Sequence, residues 1–504
     1  MDAIELKKSL KIEGEVERVN AKDLSYSEFA EKYLAKNQPV VLTGLMDDWK
    51  ACKDWVDDHG KPNLKFFSTQ FGKSQVQVAD CYTKEFTDQR REEMSVSEFI
   101  EYWIALQGEN REAQHDVSTD GCVDKSLLYL KDWHFVKEYP EYEAYVTPLF
   151  FNDDWLNLYL DKYRLHNDPD YQERNEISCS DYRFVYMGPK GTWTPLHADV
   201  FRSYSWSANV CGTKLWLFLP PAQRHLVFDR HMKNSVYNIF EDVNESKFPG
   251  FNKAVWLECT QLKNEIIFVP SGWYHQVHNL EDVISINHNW FNAYNLDWVW
   301  DLLVGDCNEA KELIEDVRDI CDDFESLCQR NLAANTGMNF FDFFTFIVRI
   351  SFANVLHLCN LLEGCKSDAL ASCSWAKHTI LNLMAIRKVA LRMQSTSLAE
   401  DRGVLLDIQN SLNDPSFVEL CFAMNKSYAK LHGLCCHNYE DEGTLQNGIK
   451  HRDFADAVRS VVSNSRSLIS LVDCILNSST HLLDNLLLDE LGEAKLVSSW
   501  TLLQ

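Results

Sequence analysis

The sequence lacks the features that mark membrane and secreted proteins. No apolar run reaches the roughly 20 residues that a membrane span needs, and the amino terminus has no basic-then-apolar signal pattern. The 16 cysteines show no Cys-x-x-Cys pair and no regular spacing. They indicate reduced, buried thiols instead of a disulfide framework or a zinc finger. We therefore expect a cytoplasmic protein, with the nucleus as an alternative, that does not bind a membrane.

Positive charge is also scarce. The chain has 49 lysines and arginines against 75 aspartates and glutamates, which gives a formal net charge of −26. Binding to nucleic acid requires a basic face toward the phosphates, so we expect no direct nucleic-acid partner. An acidic surface would attract a basic protein partner, although a solvated surface without a specific partner is the commoner explanation of such a charge.

Tryptophan and proline almost disappear after residue 300. Of 15 tryptophans and 12 prolines, 13 and 11 respectively lie at or before that point. Eight short strand-like runs between residues 182 and 290 leave no room for crossover helices, which predicts an antiparallel jelly roll, or double-stranded β-helix. Beyond residue 300, apolar residues recur at helical spacing, as at Leu313, Val317 and Cys321.

The predicted architecture is thus mainly β plus α, with two parts. Residues 1–295 form the first part, in which a cupin-like β-helix core of about 180–292 follows an α/β extension. Residues 296–504 form an α-helical domain that we expect to pack on the barrel. Its apolar stripes are also compatible with a homodimer contact.

Three His-x-Asp tripeptides occur, and their contexts differ. His451-Arg-Asp453 lies in a helix-like segment, where positions i and i+2 point about 200° apart. His166-Asn-Asp168 lies in a polar turn with proline. His197-Ala-Asp199 follows a strand-like aromatic run, and residues i and i+2 of a strand share one face. We therefore predict that the middle copy binds a metal ion.

A third ligand is expected from the segment Val269–His275. Its Pro-Ser-Gly turn delivers His275 to the start of a strand, whereas His278 should face the opposite side and His288 belongs to a later strand. Two imidazoles and one carboxylate form the facial triad that holds Fe(II) with open coordination positions. Lys214, a lone charge at the head of an apolar strand, is either an anchor for a carboxylate or a surface lysine at a strand end.

Three motifs together resemble the JmjC-type 2-oxoglutarate oxygenases. They are Thr194–Asp199 (TPLHAD), Gly212–Pro221 (GTKLWLFLPP) and Phe268–His275 (FVPSGWYH), and upstream segments Pro39–Leu45 and Leu128–Trp133 add to the likeness. The resemblance implies iron at His197, Asp199 and His275, with 2-oxoglutarate and dioxygen as cosubstrates.

The family pattern also assigns the cosubstrate contacts. It makes Lys214 the partner of the C5 carboxylate of 2-oxoglutarate, helped by the hydroxyl groups of Thr194 and Tyr129, and it places a polar group at Asn287. Where some relatives carry an asparagine after a tryptophan, this chain has Ser207. Asn209, two residues further on, is an alternative polar contact on the same side.

The stretch His197–Gly212 (HADVFRSYSWSANVCG) is most similar to the branch of the family that hydroxylates a lysine of the translation termination factor. The resemblance therefore implies a lysyl hydroxylase of the peptide-chain release factor, which promotes termination. Two alternatives remain. A histone lysine demethylase uses the same iron chemistry, and a non-catalytic cupin-like scaffold would bind partners through its helices.

Overall fold

The computed structural model describes residues 10–112, 126–165, 181–364, 374–395, 405–433 and 459–478. Two units emerge from the contacts between residues. The first comprises Met1–Pro148 and Asp181–Trp290, and the second comprises Leu149–Ser180 and Phe291–Gln504.

The first unit contains fourteen strands and five α-helices among its described residues. Its strands are β1 Lys11–Glu15, β2 Glu17–Asn20, β3 Val40–Thr43, β4 Gln75–Glu85, β5 Asp88–Ser95, β6 Leu128–Trp133, β7 Arg183–Gly188, β8 Trp193–His197, β9 Tyr204–Cys211, β10 Lys214–Leu219, β11 Val255–Gln261, β12 Glu265–Val269, β13 Tyr274–Asn279 and β14 Val283–Trp290. Its helices are α1 Tyr26–Phe29, α2 Ala51–Asp54, α3 Leu64–Phe71, α4 Val96–Glu112 and α5 Phe135–Glu138.

Strands β7 to β14 form the predicted jelly roll. One four-stranded layer has the order β11-β10-β13-β8, and the other has the order β12-β9-β14-β7. All of these neighbours pair antiparallel. The remaining strands extend the two layers, because β1 joins β11, the β2-β3 pair joins β12, and β6, β4 and β5 continue from β7. The cupin-like fold class predicted from the sequence is confirmed.

Alternation along the strands separates an inner from an outer face. On β10, Trp216 and Phe218 pack with Ile267 of β12 between the two layers. Leu215 and Leu217 alternate with them and join a second apolar cluster on the outside of the same layer. Because side chains on a strand have a period of two, this pattern defines which residues of every paired strand face the interior.

Gly212 makes the sharp turn between β9 and β10. Its φ of +76° lies in the left-handed region, and a Cβ there would come within 2.2 Å of the carbonyl oxygen of Asp282. Only glycine meets both requirements. This turn brings Lys214 to the first position of β10, at the closed end of the barrel.

The second unit contains eight α-helices among its described residues. They are α6 Trp155–Leu160, α7 Leu296–Leu313, α8 Phe324–Thr336, α9 Phe340–Gly364, α10 Ser374–Ser395, α11 Ile408–Ser411, α12 Pro415–Leu431 and α13 Ser465–Ser478. The segment Phe340–Leu361 is long and apolar enough to cross a membrane, but 83% of that window is buried in the protein. A core helix passes the same test of length and composition, and α9 packs against α10 and α12.

The described residues 149–165 group with the helices, whereas the predicted division at residues 295/296 assigned them to the first part. Tyr159 of α6 explains the difference, since its ring lies 5.1 Å from the ring of Phe346 and its hydroxyl accepts a hydrogen bond from Arg349 at 2.8 Å. Tyr163 donates to Asp414 at 2.7 Å. These contacts join residues distant in sequence, so local pattern does not reveal them.

A polar stripe runs through the otherwise apolar interior of the second unit. Asn354, His357 and Asn360 recur every third residue on α9 and are all buried. Neither ring nitrogen of His357 has a hydrogen-bond partner among the described residues. Burial lowers the pKa of His357 from 6.5 to about 3, so the imidazole is neutral in the folded protein.

We predict that His357 makes the stability of the protein depend on pH below about 6.5. The unfolded chain binds a proton there and the folded chain does not, so stability is complete above that pH and is lost as the pH falls, by about 1.4 kcal/mol per pH unit for one such group. His357→Leu should therefore reduce the slope of unfolding free energy against pH, measured by denaturant titration from neutral pH to about pH 5. The exposed His59→Leu is the control, and equal slopes in all three proteins would contradict the prediction.

Candidate metal centre

His197 and Asp199 lie at the open end of the barrel, where β8 stops. The sequence predicted a strand through Asp199, but β8 ends at His197. Asp199 follows in an extended conformation, with φ −60° and ψ 152°. Phe201 then adopts a positive φ of 54° and turns the chain away. The extended backbone at Asp199 keeps its carboxylate beside His197 although the ladder has finished.

His275 reaches the same point from β13. It pairs directly with His197 across the antiparallel ladder, and the two ring centroids are 4.3 Å apart. Ligand atoms of His197, Asp199 and His275 all lie within 4.8 Å of one another. A bulge in β8 pairs Val277 with Thr194, so Thr194 and His197 share the inner face although they are an odd number of residues apart.

Backbone contacts present both imidazoles through the same nitrogen. The Nδ1 of His197 donates to the carbonyl of Pro195 at 2.8 Å, and the Nδ1 of His275 donates to that of Trp273 at 3.1 Å. Each Nε2 then carries the lone pair that a metal ion needs. Burial, and next the neighbouring His197, lower the pKa of His275, so this ligand is neutral at physiological pH.

Ser205 is a functional residue that sequence reasoning missed. Its hydroxyl donates to Oδ2 of Asp199 at 2.7 Å. One carboxylate oxygen is held in this way, which leaves the other oxygen available to a metal ion. The available signal was the alternation of Ser205, Ser207 and Asn209 on β9, which indicates a polar inner face.

The rival histidines lie on other surfaces. His278 is on the outer face of β13, where it stacks on Trp193 and accepts from Gln276 at 2.8 Å. His288 on β14 contacts the hydroxyl of Tyr145 and the ring of Trp206, again outside the barrel. The other two His-x-Asp copies, at residues 166–168 and 451–453, fall outside the described residues.

A buried cation lies deeper in the barrel. Lys214 is only 2% exposed, and its ammonium donates to the hydroxyl of Tyr129 at 3.3 Å. Because Lys214 is buried, the interpretation of this residue as a surface lysine is wrong. Within the described residues, no carboxylate comes within ion-pair distance of Lys214. Burial lowers the pKa of Lys214 to about 7. A buried ammonium without a counter-ion is costly, which fits a site built for an anion.

Polar side chains of β9 and β14 line the space between Lys214 and the triad. Ser207 lies opposite Asn287, which is next to Phe184 in the same row of the sheet. Asn209 donates to the carbonyl of Gly212 at 2.8 Å, but its Oδ1 and the Oγ of Ser207 are buried without a hydrogen-bond partner among the described residues. Unsatisfied buried polar atoms are rare in folded proteins. These atoms therefore fit a polar ligand between the cation and the triad.

The arrangement can do specific chemistry. Two neutral imidazoles and one carboxylate on one side of an ion leave positions open on the other, which is the donor set preferred by Fe(II) in oxygenases. Lys214 and Tyr129 offer a cation and a hydroxyl group 3.3 Å apart, and Thr194 offers a second hydroxyl group on the inner face of β8. Trp216 and Phe218 pack their rings 5.6 Å from that of His275 and exclude water there.

Comparison with known proteins defines the class to which this fold and site belong. A family model described as a cupin-like domain matches residues 26–295. The protein is 42% identical over 342 residues, 66% of this chain and 75% of the relative, to the zebrafish (Danio rerio) "2-oxoglutarate and iron-dependent oxygenase JMJD4". The human (Homo sapiens) protein of that name is 36% identical over 66% of this chain and 75% of its own length.

A relative from Arabidopsis thaliana, "Arginine-specific demethylase JMJ20", is 59% identical over 424 residues, 84% of this chain and 89% of the relative. The similarity thus extends beyond the barrel into the helical part. The chain belongs to the cupin-like JmjC family.

We predict that Asp199→Ala abolishes iron binding, whereas Ser205→Ala weakens it by roughly 10- to 100-fold, because Ser205 only orients the carboxylate. The measurement is iron or Co(II) affinity by titration, with Co(II) absorption as a report on ligand geometry. Ser203→Ala, on the same segment but hydrogen-bonded to Asn289, is the matched control. Stoichiometric iron in Asp199→Ala would remove Asp199 from the ligand set.

A separate prediction concerns Lys214. Loss of a charged hydrogen bond in a dry pocket is worth about 1.5–3 kcal/mol, so Lys214→Ala should raise the apparent requirement for 2-oxoglutarate by roughly tenfold or more. Iron affinity should stay as it is, because Lys214 is remote from the triad. An unchanged 2-oxoglutarate requirement would exclude Lys214 as the anchor.

Proposed function

We propose that this protein hydroxylates a carbon of a lysine side chain in the eukaryotic peptide-chain release factor, in the cytoplasm, and thereby promotes translation termination. The coarser class is firm: the chain is an iron- and 2-oxoglutarate-dependent oxygenase, like its relatives named JMJD4. A non-catalytic scaffold is therefore set aside.

The observation that carries the proposal is that a triad of metal-ligand residues and a buried cation share the inner surface of the barrel. The triad of His197, Asp199 and His275 lies at the open end, and Lys214 lies at the closed end. We propose the three triad residues as the iron ligands and Lys214 as the partner of the distal carboxylate of 2-oxoglutarate. Thr194 and Tyr129 would add hydroxyl donors, with Asn287 and Asn209 on the facing layer.

Bound iron and 2-oxoglutarate supply the oxidising chemistry, in which dioxygen and 2-oxoglutarate become carbon dioxide and succinate while one oxygen atom enters a substrate C–H bond. The protein supplies position. The backbone carbonyls of Pro195 and Trp273 hold the two imidazoles in the ligating tautomer. Ser205 holds the carboxylate, and the aromatic rings around His275 exclude water.

Two observations support lysine in the release factor as the target. The stretch His197–Gly212 resembles the branch of the family with that activity. The net charge of −26 would speed encounter with a basic, lysine-bearing segment, an effect that salt weakens. Charge alone would serve a histone tail equally well, so the preference rests on the resemblance.

Demethylation of arginine is the second candidate, since the Arabidopsis relative that is 59% identical is named an arginine-specific demethylase. The two reactions share one step. Hydroxylation of a methyl carbon attached to nitrogen gives an unstable product that releases formaldehyde, whereas hydroxylation of a side-chain methylene gives a stable alcohol.

We predict that the purified release factor, incubated with the enzyme, Fe(II), ascorbate and 2-oxoglutarate, gains one oxygen atom on a lysine. Peptide mapping by mass spectrometry locates the change, and Asp199→Ala enzyme is the control. Methylated arginine and lysine peptides of histones are tested in parallel. Loss of a methyl group with formaldehyde release from those peptides, and no change in the release factor, would move the assignment to a demethylase.

A further inference from the structure

A second buried lysine lies in the barrel beside Lys214. Lys131 is 4% exposed and sits two residues after Tyr129 on β6, so both side chains project from the same face of the strand. No motif in the sequence assigns a role to Lys131. Its only signal is the alternation of Tyr129 and Lys131 along β6.

Contacts on both sides place Lys131 in the barrel interior. Its ammonium donates to Oε1 of Gln89 at 2.8 Å and lies 5.4 Å from the centre of the Tyr129 ring. Gln89 in turn donates to the carbonyl of Trp193 at 3.0 Å. Trp193 immediately precedes Thr194 on β8. Lys131 and Lys214 therefore contact the same tyrosine, one over its ring and the other at its hydroxyl.

Carboxylates close to Lys131 are engaged elsewhere. Asp132 forms an ion pair with Arg91 and accepts the hydroxyl of Tyr186 at 2.5 Å, and Asp88 also pairs with Arg91 at 3.3 Å. Lys131 itself has a neutral amide as its hydrogen-bond partner within the described residues. Its charge is therefore balanced only at a distance, and its field reaches into the pocket around Tyr129.

We propose that Lys131 is a second cationic residue of the 2-oxoglutarate pocket, which raises affinity for the doubly charged dicarboxylate through its charge. The inference rests on the proposed role of Lys214 as the partner of the distal carboxylate. In a medium with an effective dielectric constant of about 20, one charge several ångströms from another changes affinity by roughly tenfold or more. Lys214 alone provides the direct contact to the distal carboxylate, and Lys131 adds to the positive potential around it.

The same charge acts on Lys214. Burial, and next the positive charge of Lys131, lower the pKa of Lys214 to about 7. Burial also lowers the pKa of Lys131. It raises the pKa of Cys211 to about 12 and raises that of Tyr129 as well, so these two groups are neutral near pH 7. The charged neighbours of Lys131 are Asp88, Arg91 and Asp132, which pair with one another. Lys214 therefore loses its proton as the pH rises through neutrality, and affinity for a dianion falls with it. Removal of Lys131 should therefore raise the pH at which Lys214 loses its proton and at which the affinity for the dianion falls.

The experiment measures binding without turnover. Protein loaded with Mn(II) in place of iron, and without protein substrate, is titrated with 2-oxoglutarate by isothermal calorimetry from about pH 6 to about pH 8.5. Lys131→Met should raise Kd roughly tenfold at the acidic end, and the difference from the unaltered protein should shrink as the pH rises. Lys131→Arg keeps the positive charge and should therefore have the affinity and the pH profile of the unaltered protein.

Controls separate charge from structure. Lys131→Gln keeps a polar group in case the methionine variant does not fold, and the exposed Lys65→Met on α3 tests removal of a lysine elsewhere. An unchanged Kd and pH profile in folded Lys131→Met or Lys131→Gln protein would overturn the role of Lys131. Absence of 2-oxoglutarate binding by the unaltered protein would instead contradict the oxygenase assignment, so the two failures are distinguishable.

Discussion

The site depends on the register between β13 and β8. His275 meets His197 because the two backbones pair at that position, and a shift of one residue would turn every side chain of β13 to the opposite face. Packing enforces the register. Trp216 and Phe218 of the neighbouring strand lie against the His275 ring, whereas the leucines that alternate with them belong to the outer cluster. A slip would therefore bury the wrong side chains on both faces at once.

The barrel interior is divided between stabilising and functional surfaces. Its apolar part comes from β10, β12 and β13, but the inner positions of β9 include Ser207 and Asn209, whose burial contributes little to stability. On the outer face of the layer that contains β9, β12 and β14, Trp206, Phe268 and Trp290 alternate with these polar residues. The three aromatic side chains are almost fully buried, and their burial stabilises this layer. Strands β9 and β14 thus hold the fold together on one side while the other side stays polar enough for a charged ligand.

Local patterns predicted the eight core strands within a few residues, and they singled out the residues that meet at the metal centre. Features that depend on a partner strand escaped prediction. The bulge that puts Thr194 on the same face as His197 is defined by β13, and the bond from Ser205 to Asp199 crosses a turn with positive φ values. Likewise, nothing in the sequence of the short helix α6 predicts that Tyr159 packs against Phe346. Period and propensity act over a few residues, whereas these contacts arise only in the folded chain.

The residues proposed to hold iron and 2-oxoglutarate do not distinguish hydroxylation from demethylation. Both reactions need the same triad and the same anchor, and they differ only in which substrate carbon lies nearest the metal. Similarity to the relatives named JMJD4 therefore supports the oxygenase class without deciding between these two reactions. The choice of carbon must be made where the substrate enters, beyond the triad. Val200 follows Asp199 in the turn after β8 and is 50% exposed, so this turn presents an apolar side chain to solvent directly beside the triad.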